Sequence, residues 1–314
     1  MSLKIAVQMD AIESINIKSD TTFVLALEAQ KRGHKLYYYQ PKDLSLKNGE
    51  IFAKLQKISL RYVEDDYFTV LEAENVKLRE FDVVLMRQDP PFDMNYLTYT
   101  YMLEKIADDV LVLNNPAEVR NCPEKLLVTD FKEFTPKTII SSDKEALREF
   151  LKEQGDIVLK PLYAFAGDDV FRVDEKNFDE VSDNLLKKYN VPVIGQEFLK
   201  EIYQGDKRII LIDGEAVGAL NRIPKDGEIR SNLAAGGVGE KTTLSEREKQ
   251  ICQVVGEQMK KRGLLLAGID VIGGYLTEIN VTSPTGIQSI NRFDNTCLES
   301  VFWDAVEGKL SAYK

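Results

Sequence analysis

The stretch "TEINVTSPTG", residues 277–286, carries a carboxylate and an amide two positions apart in a run that reads as a strand. Alternate residues of a strand share a face, so Glu278 and Asn280 point the same way and Ile279 points the other. Asp270 lies in "GIDVIGG", eight residues upstream, and the glycine pair between them can turn the chain. Asp270, Glu278 and Asn280 can therefore meet on adjacent strands. Oxygen donors of this kind suit Mg²⁺, which keeps several waters and shares substrate phosphates. The plainer reading is a set of capping or ion-pair groups at a sheet end. It wins for Asp270 alone, and the metal reading wins for Asp270 with an E-x-N strand. Three cations could face these acids: Lys125 in "CPEKLLVTDF", Lys160 at the end of "DIVLKP", and Arg208 in "GDKRIILI". A lysine that ends a buried strand is costly unless its ammonium reaches an anion. Taken singly, each of the three reads as a surface residue. In the order Lys, Lys, Arg, Asp, E-x-N they describe a triphosphate site with bound metal.

Composition narrows the chemistry further. The chain has 314 residues, 44% hydrophobic and 29% charged, as expected of a soluble globular protein with two or three lobes. Its net charge of −10 argues against a nucleic-acid or anionic-membrane surface, so an anionic ligand must be held by local cations. Cys122, Cys252 and Cys297 are widely spaced and odd in number, which suits free thiols in a reducing cytoplasm. No apolar run approaches a membrane span, and "MSLKIAVQMD" does not read as a signal peptide. The only histidine, His34, falls where a helix turns into a strand and reads as a surface turn residue. Chemistry here must run on carboxylates, Lys, Arg and backbone amides.

The elements that must position these residues form an α/β pattern. "LKIAVQM", "KLYYY", "FDVVLMR" and "DVLVLN" read as strands, with helices over "SDTTFVLALEAQKRG" and "NYLTYTYMLEKIA". Ser19 or Asp20 can cap the first helix, and residues 44–80 read as a meander or hairpin. Residues 1–122 are thus expected to form a doubly wound domain, with a boundary near 122. The second half reads as largely antiparallel, with a hairpin turning at Asp213-Gly214. It carries helices over "SDKEALREFLKEQ", with Ser142 and Glu145 as a capping box, and over "LSEREKQICQVVGEQMKKRG", with Ser245 and Glu248 as another. Ile251, Val254, Val255 and Met259 are expected to share the buried face of the latter. "NTCLESVFWDAVEGKL" closes the chain as a helix that could serve the core or an interface. Residues 221–241, "NRIPKDGEIRSNLAAGGVGEK", lack periodicity and suit either a binding loop or a plain surface loop.

The order "EKLLVTDF", "VLKP", "GQEFLKEIYQGDKRIILIDGE", "NLAAGG", "GIDVIG", "LTEINVTSP" resembles the ATP-grasp ligases. "VQMDAIESINIKSDTTFVLALEAQKRGH" and "LMRQDPPFD" narrow the resemblance to the bacterial-type glutathione synthetases, over nearly the whole chain. The resemblance implies an ATP-grasp fold behind a doubly wound substrate domain. Residues 1–122 would form that domain, 123–193 a central lid lobe, and 194–314 a C-terminal lobe with a mobile loop at 221–241. ATP would lie between two antiparallel sheets. Lys125 and Lys160 would hold its phosphates, and Glu197, Phe198 and Leu199 would meet the adenine, with Gly167, Gln196 and Asp206 also on the nucleotide. Arg208 would stabilise the transferring phosphoryl group, with Lys160 beside it and Arg230 reaching in. Asp270, Glu278 and Asn280 would bind magnesium or manganese. Ser283 would hold the carboxylate to be activated, and Asp10, Asn16, Arg87 and Asp89 would lie near the dipeptide.

The implied reaction joins γ-glutamylcysteine to glycine with ATP, through an acylphosphate, in a cytoplasmic homo-oligomer, a tetramer or dimer. A ligase for another carboxylate–amine pair and a nucleotide-binding homologue of weakened catalysis stand as alternatives. Two departures from the family pattern feed them. "LYAFAGDDVF" has Ala164 and Ala166 where glycines are expected, with Asp168 and Asp169 close by, and Val238 stands where a basic residue is common.

Overall fold

The fold is known from a computed structural model that describes residues 2–164, 167–233 and 236–313. The first sheet is built on short apolar strands that are buried on both faces, the signature of parallel pairing under helices. β1 (Lys4–Gln8) pairs in parallel with β2 (Lys35–Tyr39) and β6 (Val83–Met86), and β6 pairs in parallel with β7 (Leu111–Leu113). Ile5, Val7, Val83 and Leu85 face one way, into a core shared with α1 (Thr21–Lys31). Ala6, Val84, Met86 and Val112 face the other, under α2 (Met94–Glu104) and α3 (Pro116–Asn121). Helices on both faces make this part doubly wound. The stretch read as a meander is an antiparallel extension of the same sheet: β3 (Leu44–Lys47), the long β4 (Glu50–Leu60) and β5 (Phe68–Lys77). β5 is exposed along most of its length.

The central part is a four-stranded antiparallel sheet, in the order β10 (Phe171–Val173), β9 (Ile157–Pro161), β11 (Val193–Glu197), β8 (Thr138–Ser141). α4 (Lys144–Gln154) and α5 (Phe178–Tyr189) cover one face with Leu147, Phe150, Phe178 and Leu185. Because β11 pairs with both β8 and β9, the central sheet runs to Glu197, past the division expected at 193/194. The third sheet has the order β14 (Val238–Lys241), β13 (Glu215–Ile223), β12 (Asp206–Ile212), β15 (Leu266–Ile272), β16 (Tyr275–Asn280), all antiparallel. On one face Ile209, Leu211, Ile269 and Val271 pack in a core with Ile251, Val255 and Met259 of α6 (Glu246–Lys261). On the other, Ile210 and Ile212 share a core with Ile287 and Ile290 of α7 (Ile287–Asp294) and with Phe302 and Trp303 of α8 (Leu298–Tyr313).

Some local expectations hold in the folded chain and others change. Asp20 caps α1, accepting the Phe23 amide at 2.6 Å, and Ser245 with Glu248 forms the capping box of α6. For α4 the cap is Asp143, not Ser142, because the Asp143 carboxylate takes the Glu145 amide at 2.9 Å. Val254 is exposed; Cys252 takes its place on the buried face of α6. Lys125 precedes a short 3₁₀ turn, Leu127–Asp130. The segment 221–241 has strands at both ends, since β13 runs to Ile223 and β14 begins at Val238. His34 lies at the expected turn but is buried, edge-on to Trp303 at 5.5 Å, with Nε2 3.0 Å from a Glu307 carboxylate oxygen.

Candidate active site

Strand register lays the charged residues in one row. Arg208 on β12 sits opposite Asp270 on β15, and Asp270 sits opposite Glu278 on β16. Two residues along, Asp206 faces Arg222 on β13. Directly paired residues and i, i+2 neighbours share a face, so all five point into the same space. β16 reaches this phase through a bulge. Asp270 pairs with Glu278 but Val271 pairs with Leu276, leaving Thr277 as the extra residue. Its hydroxyl donates to the Asp270 carbonyl at 3.1 Å. Leu276 therefore joins the apolar core while Glu278 faces outward, although the two are only two positions apart.

Asp270 is gripped from two sides. Arg208 meets it in a fork, Nε to Oδ1 at 2.5 Å and Nη2 to Oδ2 at 2.9 Å, and Arg222 Nη2 lies 3.0 Å from Oδ1. Burial works to raise this carboxyl, but the two guanidinium groups outweigh it and hold it at about 2. Arg222 also pairs with Asp206. Its guanidinium is shared between two acids, so Asp206 gains only part of it. Burial, opposed by Arg222, leaves Asp206 raised to about 6. Asp206 Oδ1 is buried with no hydrogen-bond partner.

Glu278 keeps 21% of its side chain exposed, with Lys160 Nζ at 3.5 Å and Lys125 Nζ at 3.7 Å from the same oxygen. Burial opposes its ionised form, but the two ammonium groups prevail and its carboxyl is lowered. Lys160 is lowered by its own burial, which Glu278 partly offsets. Both lysine contacts are at or beyond hydrogen-bond length, so both cations can turn to an anion that enters beside Glu278. Lys125 also donates to the Ala164 carbonyl at 2.6 Å.

These groups line a cleft of about 370 Å³ between the central and C-terminal sheets. Lys160 and Gln196 come from one wall; Asp206, Arg208, Asp270, Glu278 and Asn280 come from the other. Gly167, Glu197, Phe198, Leu199, Asp89, Arg230 and Ser283 also border it. The amides of Glu197 and Phe198 are already engaged, with the Lys137 and Asp156 carbonyls. At the N-terminal side, Asp10 accepts the Asp89 amide at 2.7 Å, and Ser283 donates to the Arg87 carbonyl at 3.1 Å. Arg87 is buried, donating to Thr22 and to the Pro284 carbonyl. Asn16 stands apart: its side chain closes its own turn by accepting the Lys18 amide at 3.0 Å. Arg230 is exposed and pairs with Glu228. Asp169 turns away from the cleft to Lys188 and Tyr189, so only Asp168 of that acid pair lines it. Ala166 lies outside the described residues.

The donor set fits a hard divalent cation. Asn280 donates its amide NH₂ to the Gly268 carbonyl and Asp270, which leaves its carbonyl oxygen as an acceptor beside the Glu278 carboxylate. All the candidate donors are oxygens, and they are few, as suits an ion that completes its shell with water and phosphate. Among the described residues no cluster of three or more His, Cys, Asp or Glu is arranged to hold a metal by itself.

Two site residues escaped the reading of the sequence. Arg222 falls within 221–241, the stretch without periodicity, yet it alternates with Leu220 on β13 and is buried. Glu124 adjoins Lys125, lines the cleft and accepts the Thr282 hydroxyl at 2.9 Å. Strand alternation carried past Leu220 would have exposed the first; nothing in the local sequence marks the second. Among the described residues no helix is long and apolar enough to cross a membrane.

Comparison with known proteins places this geometry. Residues 3–120 match the prokaryotic glutathione synthetase N-terminal domain, and residues 124–295 match the prokaryotic glutathione synthetase ATP-grasp domain. The chain is 50% identical over 311 residues to a glutathione synthetase of Brucella melitensis, covering 98% of this chain and 100% of that one. It is 43% identical over 312 residues to one of Shewanella oneidensis, covering 98% and 99%. The fold is shared with the D-cycloserine synthetase DcsG, at a TM-score of 0.69, 16% identity and coverage of 98% and 99%. It is also shared with a RimK-domain ATP-grasp protein of Sphaerobacter thermophilus, at 0.63, 15% identity and coverage of 96% and 98%. The chain belongs to the prokaryotic glutathione synthetase family and is an ATP-grasp ligase of ATP-dependent glutathione synthesis.

Proposed function

We propose that the cleft divides the joining of γ-glutamylcysteine to glycine among the residues described above. The observation that carries this reading is the convergence of Lys125 and Lys160 on Glu278, at the end of the Arg208–Asp270–Glu278 row. ATP lies between the two sheets. Its adenine sits against Gln196, Glu197, Phe198 and Leu199, its ribose is within reach of the unpartnered Asp206 oxygen, and its phosphates lie by Lys125, Lys160 and the Gly167 turn. The dipeptide lies toward Asp10, Arg87, Asp89 and Ser283, with Asn16 reached only if its turn moves.

The dipeptide carboxylate attacks the γ-phosphorus and ADP leaves. The glycine amine then attacks the acyl carbon, and inorganic phosphate leaves. Arg208, Arg222 and Lys160 face the charge that develops on the transferring group, and Arg230 approaches from the loop. Preorganised cations of this kind supply much of the barrier reduction in phosphoryl transfer. A divalent cation, Mg²⁺ or Mn²⁺ on this all-oxygen set, would be held by Glu278 and Asn280 with Asp270 behind them, and would neutralise phosphate charge.

Three lobes, about 1–122, 123–197 and 198–314, form the working unit. The cytoplasm suits its three free thiols. A homo-oligomer suits the exposed β5, which shows Val70 and Leu71 to solvent. The test is phosphate release from the purified chain with ATP, Mg²⁺, γ-glutamylcysteine and glycine, and with each omitted in turn. Release that needs both substrates is expected. Equal release with other carboxylates in place of the dipeptide would overturn the substrate assignment.

A further inference from the structure

Ser231 lies in the loop between β13 and β14 with exposed residues around it, among them Glu228, Arg230 and Leu233, yet it is only 3% exposed. Its hydroxyl donates to Asp206 Oδ2 at 2.8 Å. Two close approaches fix the backbone there. A Cβ on Gly237 would lie 2.0 Å from the Ser231 carbonyl oxygen, so the second arm of the loop passes directly against the first. The Gly237 amide donates to the Asn232 carbonyl at 3.1 Å. On the cleft side, a Cβ on Gly167, whose φ is +81°, would lie 2.6 Å from the Asn232 side-chain oxygen. Residues 231 and 232 are thus clasped by the start of β12, the loop after β9 and the root of β14.

The partner of Ser231 is no ordinary acceptor. Asp206 shares Arg222 with Asp270, so the loop is tied to the end of the charged row on which phosphoryl transfer depends. Ser231 itself borders the cleft. Resting on the reaction set out above, we propose that Ser231 is a positioning residue. It fastens this loop over the cleft through Asp206, and so governs how well water is kept from the acylphosphate. That intermediate has two fates. Attack by the glycine nitrogen forms the C–N bond, breaks the acyl C–O bond to phosphate and yields glutathione. Attack by water forms a C–O bond in its place, breaks the same acyl–phosphate bond, and returns the dipeptide carboxylate with inorganic phosphate and a proton. Both release phosphate; only the first makes product. An active site that must exclude water depends on a closed cover.

The experiment measures phosphate and glutathione in the same reaction, with the full chain and saturating substrates, for the wild type, Ser231→Ala, Ser231→Thr and Gly237→Ala. The phosphate-to-glutathione ratio is expected to be near unity in the wild type and about two- to fivefold higher in Ser231→Ala. Ser231→Thr, which keeps the hydroxyl, should restore it. Gly237→Ala, which pushes on the Ser231 carbonyl from the other arm, should raise it as Ser231→Ala does. An unchanged ratio in Ser231→Ala with an unchanged melting temperature, or an equal rise in Ser231→Thr, overturns the proposal. Trypsin cleavage after Lys225 and Arg230 probes the fastening without turnover. ADP should slow it in the wild type and fail to in Ser231→Ala; equal protection also overturns the proposal. A wild type that makes no glutathione would instead count against the substrate assignment, and the trypsin result would still stand.

Discussion

Two clusters of charge in this molecule invite comparison. One is the cleft row of Asp206, Arg222, Arg208, Asp270 and Glu278. The other joins α1 to α8, where Arg32 meets Glu28, Asp304, Glu307 and the Ser300 carbonyl, and His34 meets Glu307. Both tie together distant parts of the chain. The difference is saturation. Around Arg32 the guanidinium nitrogens are matched by acceptors from two helices, and none of these groups lines the cleft. In the cleft, Asp206 has a buried oxygen with no partner, and two lysines hang on one oxygen of Glu278 at long range. A closed ion cluster holds helices together; an open one waits for a ligand.

The largest effect expected on this contrast is that of Glu278→Ala. Glutathione formation should fall by about 10³-fold or more, since the residue would hold the divalent cation that neutralises phosphate charge. The melting temperature should fall as well, because the nearly buried Lys125 and Lys160 lose the acid they share, and added ATP should restore part of it. Thermal denaturation with and without ATP alongside the assay checks both, and a melting temperature that ATP leaves untouched would break the contrast.

Asp206 sharpens it through pH. Folding raises this carboxyl to about 6, above its ordinary range, so the folded chain binds the proton more tightly than the unfolded one. The stability this confers is fully present below about pH 4 and is lost as pH rises through about 6. Relative to Asp206→Asn, the wild type should therefore lose about 2–3 kcal/mol between these limits. Denaturant titrations of both chains at several pH values measure it, and a wild type that holds or gains stability relative to Asp206→Asn as pH rises would contradict the assignment.

At the other cluster, Arg32→Ala should destabilise the fold by about 1–2 kcal/mol, because it takes the guanidinium from the buried Glu28 carboxylate, while leaving the kinetic constants as they are. A change in KM for ATP would show that the two clusters are not separable. The smallest effect concerns the thiols. Cys122 and Cys252 are buried and pushed by burial to about 11 and about 12, whereas Cys297 is exposed. A disulfide reagent should find one thiol in the native chain and three after unfolding.

What the sequence made legible follows from the range of the forces involved. Asp20, the Ser245–Glu248 box and the pairing of Glu278 with Asn280 on one face rest on contacts a few residues apart, and each was readable. The burial of His34 depends on Trp303 and Glu307 of α8, at the far end of the chain, so nothing near His34 could announce it. Arg222 was hidden in the aperiodic stretch 221–241, into which β13 runs as far as Ile223, and Glu124 by the lack of any local pattern. Ser231 is a case of its own: a small polar residue in a glycine-rich loop, whose partner is fixed only once β12 and β13 have paired.

The extra residue at Thr277 has a consequence for how this chain can change. It sets the parity of β16: upstream of it Leu276 belongs to the core, and downstream Glu278 belongs to the cleft. Removing a residue upstream of Leu276, at 273–275, would not shorten a loop harmlessly. With Glu278 kept opposite Asp270 and the bulge lost, it would set Leu276 in the cleft. Removing Thr277 itself would leave Leu276 and Glu278 adjacent and still on opposite faces, at the cost of the bulge alone. Length along this hairpin can therefore give way at the bulge far more readily than in the turn before it.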